Sequence, residues 1–354
     1  MSAADANAAR TAPLRVAVVG TGYFARFHLR AWRRMDDVEL VALHALDAEA
    51  GRGLAAEFGI ENVFDALPRL IDATRPDLVD IVTPPASHAS LLGECIARAT
   101  PAVCQKPFCE SLERARETVA RAAAANALVV VHENFRFQPW YREIRRLLDA
   151  GAIGEPWSVR FDLRPGDGRG EGAYLDRQPY FREQERFLIR ETAVHQFDVF
   201  RYLLGEIDGV SARLRRLNPV SRGEDAALVL FDFASGASGV FDGNRLADNT
   251  ARDPRLTMGE LRLEGSRGAL ALDAEAGISL RAHGERRARE HRYAWRDVDF
   301  GGDCVYATCR HVADHLLRGR PLENRAAEYL ANLAVEEAVY RSHASGRRVS
   351  PAEV

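Results

Sequence analysis

The sequence has no apolar run near the roughly 18 residues that a membrane-crossing helix needs; its longest runs, such as 127–131, are strand-sized. Membrane insertion is not expected. Charge of one sign is also missing: 48 basic against 51 acidic residues give a net charge of −3, with no basic excess to attract a phosphate backbone. Nucleic acid is an equally poor expectation. Cysteine is scarce and odd in number, and neither close pair among Cys95, Cys104, Cys109, Cys304 and Cys309 has two-residue metal spacing. Reduced thiols and no metal site are expected. Repeats are absent, and low-complexity sequence is confined to the amino tail and 122–125. Residues 1–13 are small and polar, without the apolar stretch of a signal peptide, so they read as a flexible tail and imply a cytoplasmic location. What remains is a chain of 354 residues, 47% hydrophobic and 28% charged, long enough for two domains with their own cores.

From Leu14 the chain reads Leu-Arg-Val-Ala-Val-Val, apolar on both faces as a buried parallel strand requires. Gly20-Thr21-Gly22-Tyr23-Phe24-Ala25 follows and matches G-x-G-x-x-G/A: Gly20 for a tight turn, Gly22 for backbone approach to a pyrophosphate, and Ala25 for close helix packing. Strand and helix then alternate through 38–43, 78–82, 88–99, 102–104, 111–125 and 128–131, which predicts a doubly wound parallel sheet, a Rossmann domain, over 14–133. At the tip of the second strand Asp47 has two readings, a ribose ligand or the N-cap of the next helix. No arginine sits at that tip to receive a 2′-phosphate, although Arg52 is about a turn away, so NAD is expected and NADP stays open.

After Pro156 the pattern changes to period two, with strands expected at 157–163, 209–217, 226–233, 238–244 and 260–264 and a helix at 192–204. Residues 134–354 therefore read as an α+β domain with a large, mostly antiparallel open sheet. On the 192–204 helix and the turn before it, Glu191, His195 and Asp198 are spaced four and three apart, one stripe of a regular helix. An imidazole can exchange a proton near neutral pH, and a carboxylate one turn away can orient it. The glycines at 166, 168, 170 and 172, with Arg164 and Asp167, read as a loop able to close over a small substrate or as a plain connection.

Thr83-Pro84-Pro85 with His88, and Gln105-Lys106-Pro107, together with the glycine turn, resemble the glucose-fructose oxidoreductase and inositol dehydrogenase superfamily (Gfo/Idh/MocA). Asn134-Phe-Arg136-Phe, Gly151-Ala-Ile-Gly-Glu-Pro156 and Glu191 with His195 extend the likeness over nearly the whole chain. The 133–142 block and the loop from Arg164 resemble that family's D-apiose dehydrogenase branch. Two positions depart from the family pattern: Gln105 replaces the usual Glu and Glu191 the usual Asp.

The resemblance implies a dehydrogenase that moves a hydride from a sugar or polyol hydroxyl to NAD; the apiose likeness implies oxidation of the anomeric carbon to a lactone. Lys106 would polarise the substrate oxygen, and His195, supported by Glu191, would take the proton. Gly20, Gly22, Tyr23, Phe24, Ala25, Asp47, Thr83, Pro84, His88, Gln105 and Lys106 would bind cofactor, while Asn134, Arg136, Arg164 and Asp198 would bind substrate. A homodimer or homotetramer formed through the second sheet is implied too, with the last helix packing back toward the first domain. An NADP-linked reductase of the same superfamily, and a non-catalytic dinucleotide sensor, are the alternatives.

Overall fold

Residues 14–132 alternate short β-branched runs with helices. In the computed structural model, which describes residues 12–176 and 178–354, they form a six-stranded parallel sheet. Its strands are β1 (Leu14–Val19), β2 (Val38–His44), β3 (Val63–Phe64), β4 (Leu78–Ile81), β5 (Ala102–Gln105) and β6 (Val129–His132), in the order β3-β2-β1-β4-β5-β6. Helices α1 (Ala25–Arg33), α2 (Ala48–Phe58), α3 (Leu67–Thr74), α4 (His88–Ala97) and α5 (Leu112–Ala124) connect them. The strand order reverses between β1 and β4, the switch point beside which open α/β sheets take ligands. The two-residue β3 is too short to show a period in the sequence.

The second unit begins with α6 (Pro139–Asp149) and β7 (Pro156–Leu163). A π-helical turn, Leu188–Ala193, then runs into α7 (Val194–Leu204). The rest of its sheet is β8 (Ile207–Arg215), β9 (Ala226–Phe233), β10 (Ser238–Asn244), β11 (Gly259–Gly265), β12 (Gly268–Leu272), β13 (Ile278–Ala282) and β14 (Arg289–His291). The order is β14-β13-β12-β11-β7-β10-β9-β8, antiparallel throughout except that β7 and β10 run parallel. Alternation sorts the faces: Val159, Phe161, Val229, Phe231 and Phe241 are buried in one core with Phe197 and Phe200 of α7. The opposite face carries Arg160, Asp162 and Asp242, with Leu228 and Leu230 about half exposed.

The chain then returns to the first unit. Residues up to Asn134 cluster with Cys304–Leu330, and Phe135–Asp303 with Ala331–Val354, so the second domain expected over 134–354 is interrupted. Helix α8 (Cys304–Arg318) packs on α1 and β1 because Cys304, Val305, Cys309, Val312 and Ala313 form a buried apolar stripe. Val131 N–H donates to the Asn324 carbonyl at 2.9 Å, securing the return segment to β6. The last long helix, α9 (Ala326–Ser345), starts in the first unit and continues in the second. Among the described residues no helix is long and apolar enough to cross a membrane.

Candidate active site

Beyond β1, Gly20 adopts φ +117°, and a Cβ there would stand 2.4 Å from the Val82 carbonyl oxygen; only glycine passes between the ends of β1 and β4. Gly22 differs, since a Cβ on it would meet nothing within 4 Å. The protein's own packing does not demand glycine there, so the open side fits a dinucleotide's pyrophosphate approaching the backbone. Ala25 is fully buried at the start of α1, with Tyr23 half exposed and Phe24 partly buried just before it. At the tip of β2, Asp47 Oδ1 accepts the Glu49 and Ala50 amides at 2.9 and 3.1 Å, so the N-cap reading of this residue is realised.

His88 does not present its ring to a ligand, as a cofactor contact would. It is fully buried, with Nε2 2.7 Å from the Thr83 carbonyl and Nδ1 3.0 and 3.1 Å from those of Pro107 and Phe108. It therefore ties the Thr83-Pro84 turn after β4 to the turn after β5, and burial lowers its pKa.

β5 ends at Gln105, whose Oε1 accepts the Lys106 N–H at 2.7 Å; the Lys106 side chain is partly exposed at the carboxyl edge of the sheet. Lys106 is the only lysine in the chain: every other one of the 48 Lys and Arg residues is arginine. A guanidinium is a permanent cation in a planar fork, whereas an ammonium is a compact donor able to yield its proton. Behind this edge lies a group that no local spacing announces. His28, His132 and Cys309, from α1, β6 and α8, are buried with one ligand atom each within 4.8 Å of the others, close enough for a metal ion. The two imidazoles lie 4.1 Å apart between centroids with their planes tilted by 39°, and Cys309 Sγ approaches His132 Nε2 at 3.7 Å. Glu133, which nothing in the local sequence singles out, is fully buried and accepts the Tyr329 hydroxyl at 3.1 Å. Asn134 closes this unit with its Oδ1 buried and without a hydrogen-bond partner among the described residues, an acceptor that a ligand hydroxyl would satisfy.

In the second unit, His195 is 6% exposed, and its ring lies flat on Phe135, 3.9 Å between centroids and 3° between planes. Glu191 does not continue the stripe expected of an α-helix, because it sits in the wider π-turn ahead of α7. Asp198 is not a substrate ligand in waiting: it is fully buried, and Arg136 Nε and Nη2 grip its two oxygens at 2.7 and 2.6 Å. Two residues expected to meet substrate separately thus meet each other. Arg164 is displaced further. Its guanidinium donates to the Asp242 carbonyl at 2.6 Å and pairs with the Asp242 carboxylate at 3.0 Å, on the sheet face opposite α7. Strand alternation is the reason, since Leu163 faces the core.

The glycine-rich loop is anchored rather than loose. Arg245, with its side chain 4% exposed, holds Asp167 through Nε and Nη2 and donates from Nη1 to Thr192 Oγ1 at 2.7 Å. Tyr174, Phe181 and Phe187 surround its guanidinium at 4.8 to 5.3 Å, and burial pushes the Tyr174 hydroxyl up to about 12. The bond to Thr192, 53 positions away, is one that local sequence could not reveal.

Residues 14–133 match the GFO/IDH/MocA oxidoreductase family with its NAD-binding Rossmann fold, and residues 141–271 match that family's C-terminal domain. The chain is 32% identical to D-apiose dehydrogenase of Rhizobium rhizogenes, over 95% of this chain and 97% of that one. It is 33% identical to D-apiose dehydrogenase of Paraburkholderia graminis, over 99% and 94%. A crystal structure of an Agrobacterium radiobacter oxidoreductase in complex with NAD+, L-tartaric acid and magnesium superposes with a TM-score of 0.86 at 30% identity, over 96% of this chain and 99% of that one.

Proposed function

We propose that this chain, which belongs to the GFO/IDH/MocA oxidoreductase family, oxidises D-apiose at its anomeric carbon to the lactone, with NAD as hydride acceptor. The family is one of NAD-dependent dehydrogenases, and this member acts on a sugar or polyol. NAD, when bound, takes up the hydride. The Gly20–Ala25 turn would hold its pyrophosphate, with Tyr23, Phe24, Asp47, Thr83, Pro84 and Gln105 along the same edge of the sheet. The Lys106 ammonium donates to the reacting oxygen and stabilises it as negative charge builds. His195 accepts the hydroxyl proton, Phe135 fixing the plane of its ring and Glu191 supporting it, while Asn134 Oδ1 accepts a further substrate hydroxyl.

One observation carries the reading: in a chain that uses arginine for every other such cation, the single lysine stands at the ligand edge of a Rossmann sheet. The choice of substrate rests on near full-length similarity to two D-apiose dehydrogenases. The test is NADH formation at 340 nm from D-apiose and from myo-inositol, with NAD and NADP in parallel. D-apiose with NAD is the expected productive pair. Lys106→Arg and Lys106→Met should each lower kcat by about a hundredfold or more, and a loss below about tenfold in both would overturn the role. If ammonium and imidazole serve one hydroxyl, Lys106→Met and His195→Asn will be far from additive in kcat.

The outer face of the second sheet, with Leu228 and Leu230, is where we place a homodimer or homotetramer contact. Leu230→Asp should lower the mass measured by light scattering. Five buried thiols suit the reducing cytoplasm, where this reading places the protein.

A further inference from the structure

We propose that Gln105 and His28, backed by Asp80, are positioning residues for Lys106, and that the Gln105 amide locks His28 as a neutral imidazole protonated on Nδ1. Lys106 N–H donates to Gln105 Oε1 at 2.7 Å. A backbone N–H can be met only by the amide oxygen, so the Gln105 NH2 group must point the other way, and there it lies 3.4 Å from His28 Nε2. An amide nitrogen only donates, so Nε2 must carry the lone pair. The proton is then on Nδ1, which stands 2.8 Å from Asp80 Oδ2. That oxygen also accepts Trp32 Nε1–H at 2.6 Å.

Both ends of the chain thus agree on one tautomer, and every donor points toward the same buried carboxylate. His28, Asp80 and Trp32 are fully buried and Gln105 is 7% exposed, so water does not dilute the coupling. Also around His28 are Phe24 of the preceding turn at 5.6 Å and the tilted ring of His132 of β6 at 4.1 Å, with Cys309 of α8 beyond it. The His28 lone pair is committed to the amide, which sets this role against a metal-ligand role for the same nitrogen.

The chemistry also says what glutamine does that glutamate, usual in the family pattern, would not. A carboxylate at position 105 would set an oxygen lone pair against the Nε2 lone pair. Contact would then require a second proton on His28, held between that carboxylate and Asp80. With glutamine the link to Lys106 needs no such proton.

The functional part rests on Lys106 acting as proposed above; the hydrogen-bond logic does not. Long-range 1H–15N NMR on histidine-labelled protein reads the tautomer directly, with His28 assigned by its loss in His28→Gln. The Nδ1–H form is expected, and an Nε2–H form would overturn the proposal. Gln105→Glu, of nearly equal size, removes the amide donor and should end the exclusive Nδ1–H form of His28. Its kcat should fall by about tenfold with KM little changed, and Gln105→Ala should fall as far. A Gln105→Glu protein with His28 still wholly in the Nδ1–H form and kcat equal to wild type would refute the inference. If instead Lys106→Arg stays active while the tautomer is as assigned, the reading of Lys106 fails and the positioning chain stands.

Discussion

Arg245→Met removes the cation that joins the glycine-rich loop to the π-turn ahead of His195. Methionine keeps much of the length and the apolar stem among Tyr174, Phe181 and Phe187, so the loss is one of charge and hydrogen bonds rather than of volume. Removing one partner of a buried ion pair costs about 3–5 kcal/mol, and a cation over aromatic rings adds roughly 0.5–2 kcal/mol. The Asp167 side chain is 24% exposed, and water recovers part of that, which brings the expectation to about 3 kcal/mol. At about 2–4 °C per kcal/mol for a unit of this size, the calorimetric transition of the second unit should drop by roughly 6–12 °C. Trypsin should cut the 164–187 loop before the rest of the chain, and kcat/KM should fall about ten- to a hundredfold, because Thr192 and with it the approach to His195 lose their anchor. Asp167→Asn combined with Arg245→Met should be more stable than Arg245→Met alone, since the stranded charge is gone. A methionine variant within about 0.5 kcal/mol of wild type, with an uncut loop, would refute the reasoning.

The glycines of the first turn should separate folding from binding. Gly20→Ala meets the Val82 carbonyl at a strained φ and should lower Tm, whereas Gly22→Ala should keep Tm and weaken NAD binding by about tenfold or more in calorimetric titration. His44 and His88 have pKa values lowered by burial, so the unfolded chain binds more protons between the folded values and about 6.5. Their contribution to stability is complete above about pH 6.5 and is lost as pH falls toward the folded values; melts from pH 8 to 5 should show this, with a shallower slope in His88→Gln. Arg136→Met leaves Asp198 buried without its guanidinium and should cost about 3–5 kcal/mol in urea unfolding. Arg136→Met with Asp198→Leu should recover most of it.

Much of the first unit was legible because parallel strands are buried on both faces and write themselves as short β-branched runs, the first of them closed by a turn in which Gly20 admits no side chain. The single lysine was legible as well, by counting. The second unit was legible as strands but not as a sheet order, because β7 lies between β10 and β11, distant in sequence. The candidate site was legible by residue type and not by pairing: Arg136 with Asp198, 62 positions apart, and Arg245 with Thr192 are long-range choices that burial enforces.

By itself the sequence determined the Rossmann sheet, the glycine turn, the lysine at the end of β5 and the period-two strands beyond Pro156, since each follows from local sterics and from which faces must leave water. Tertiary structure alone decided that 304–330 returns to cover the first sheet, that Arg164 faces away from α7, that His88 and Asp198 are spent inside the protein, and that Gln105 meets His28. Those outcomes depend on which donors and acceptors are left together once water is gone, and each involves a partner far off along the chain.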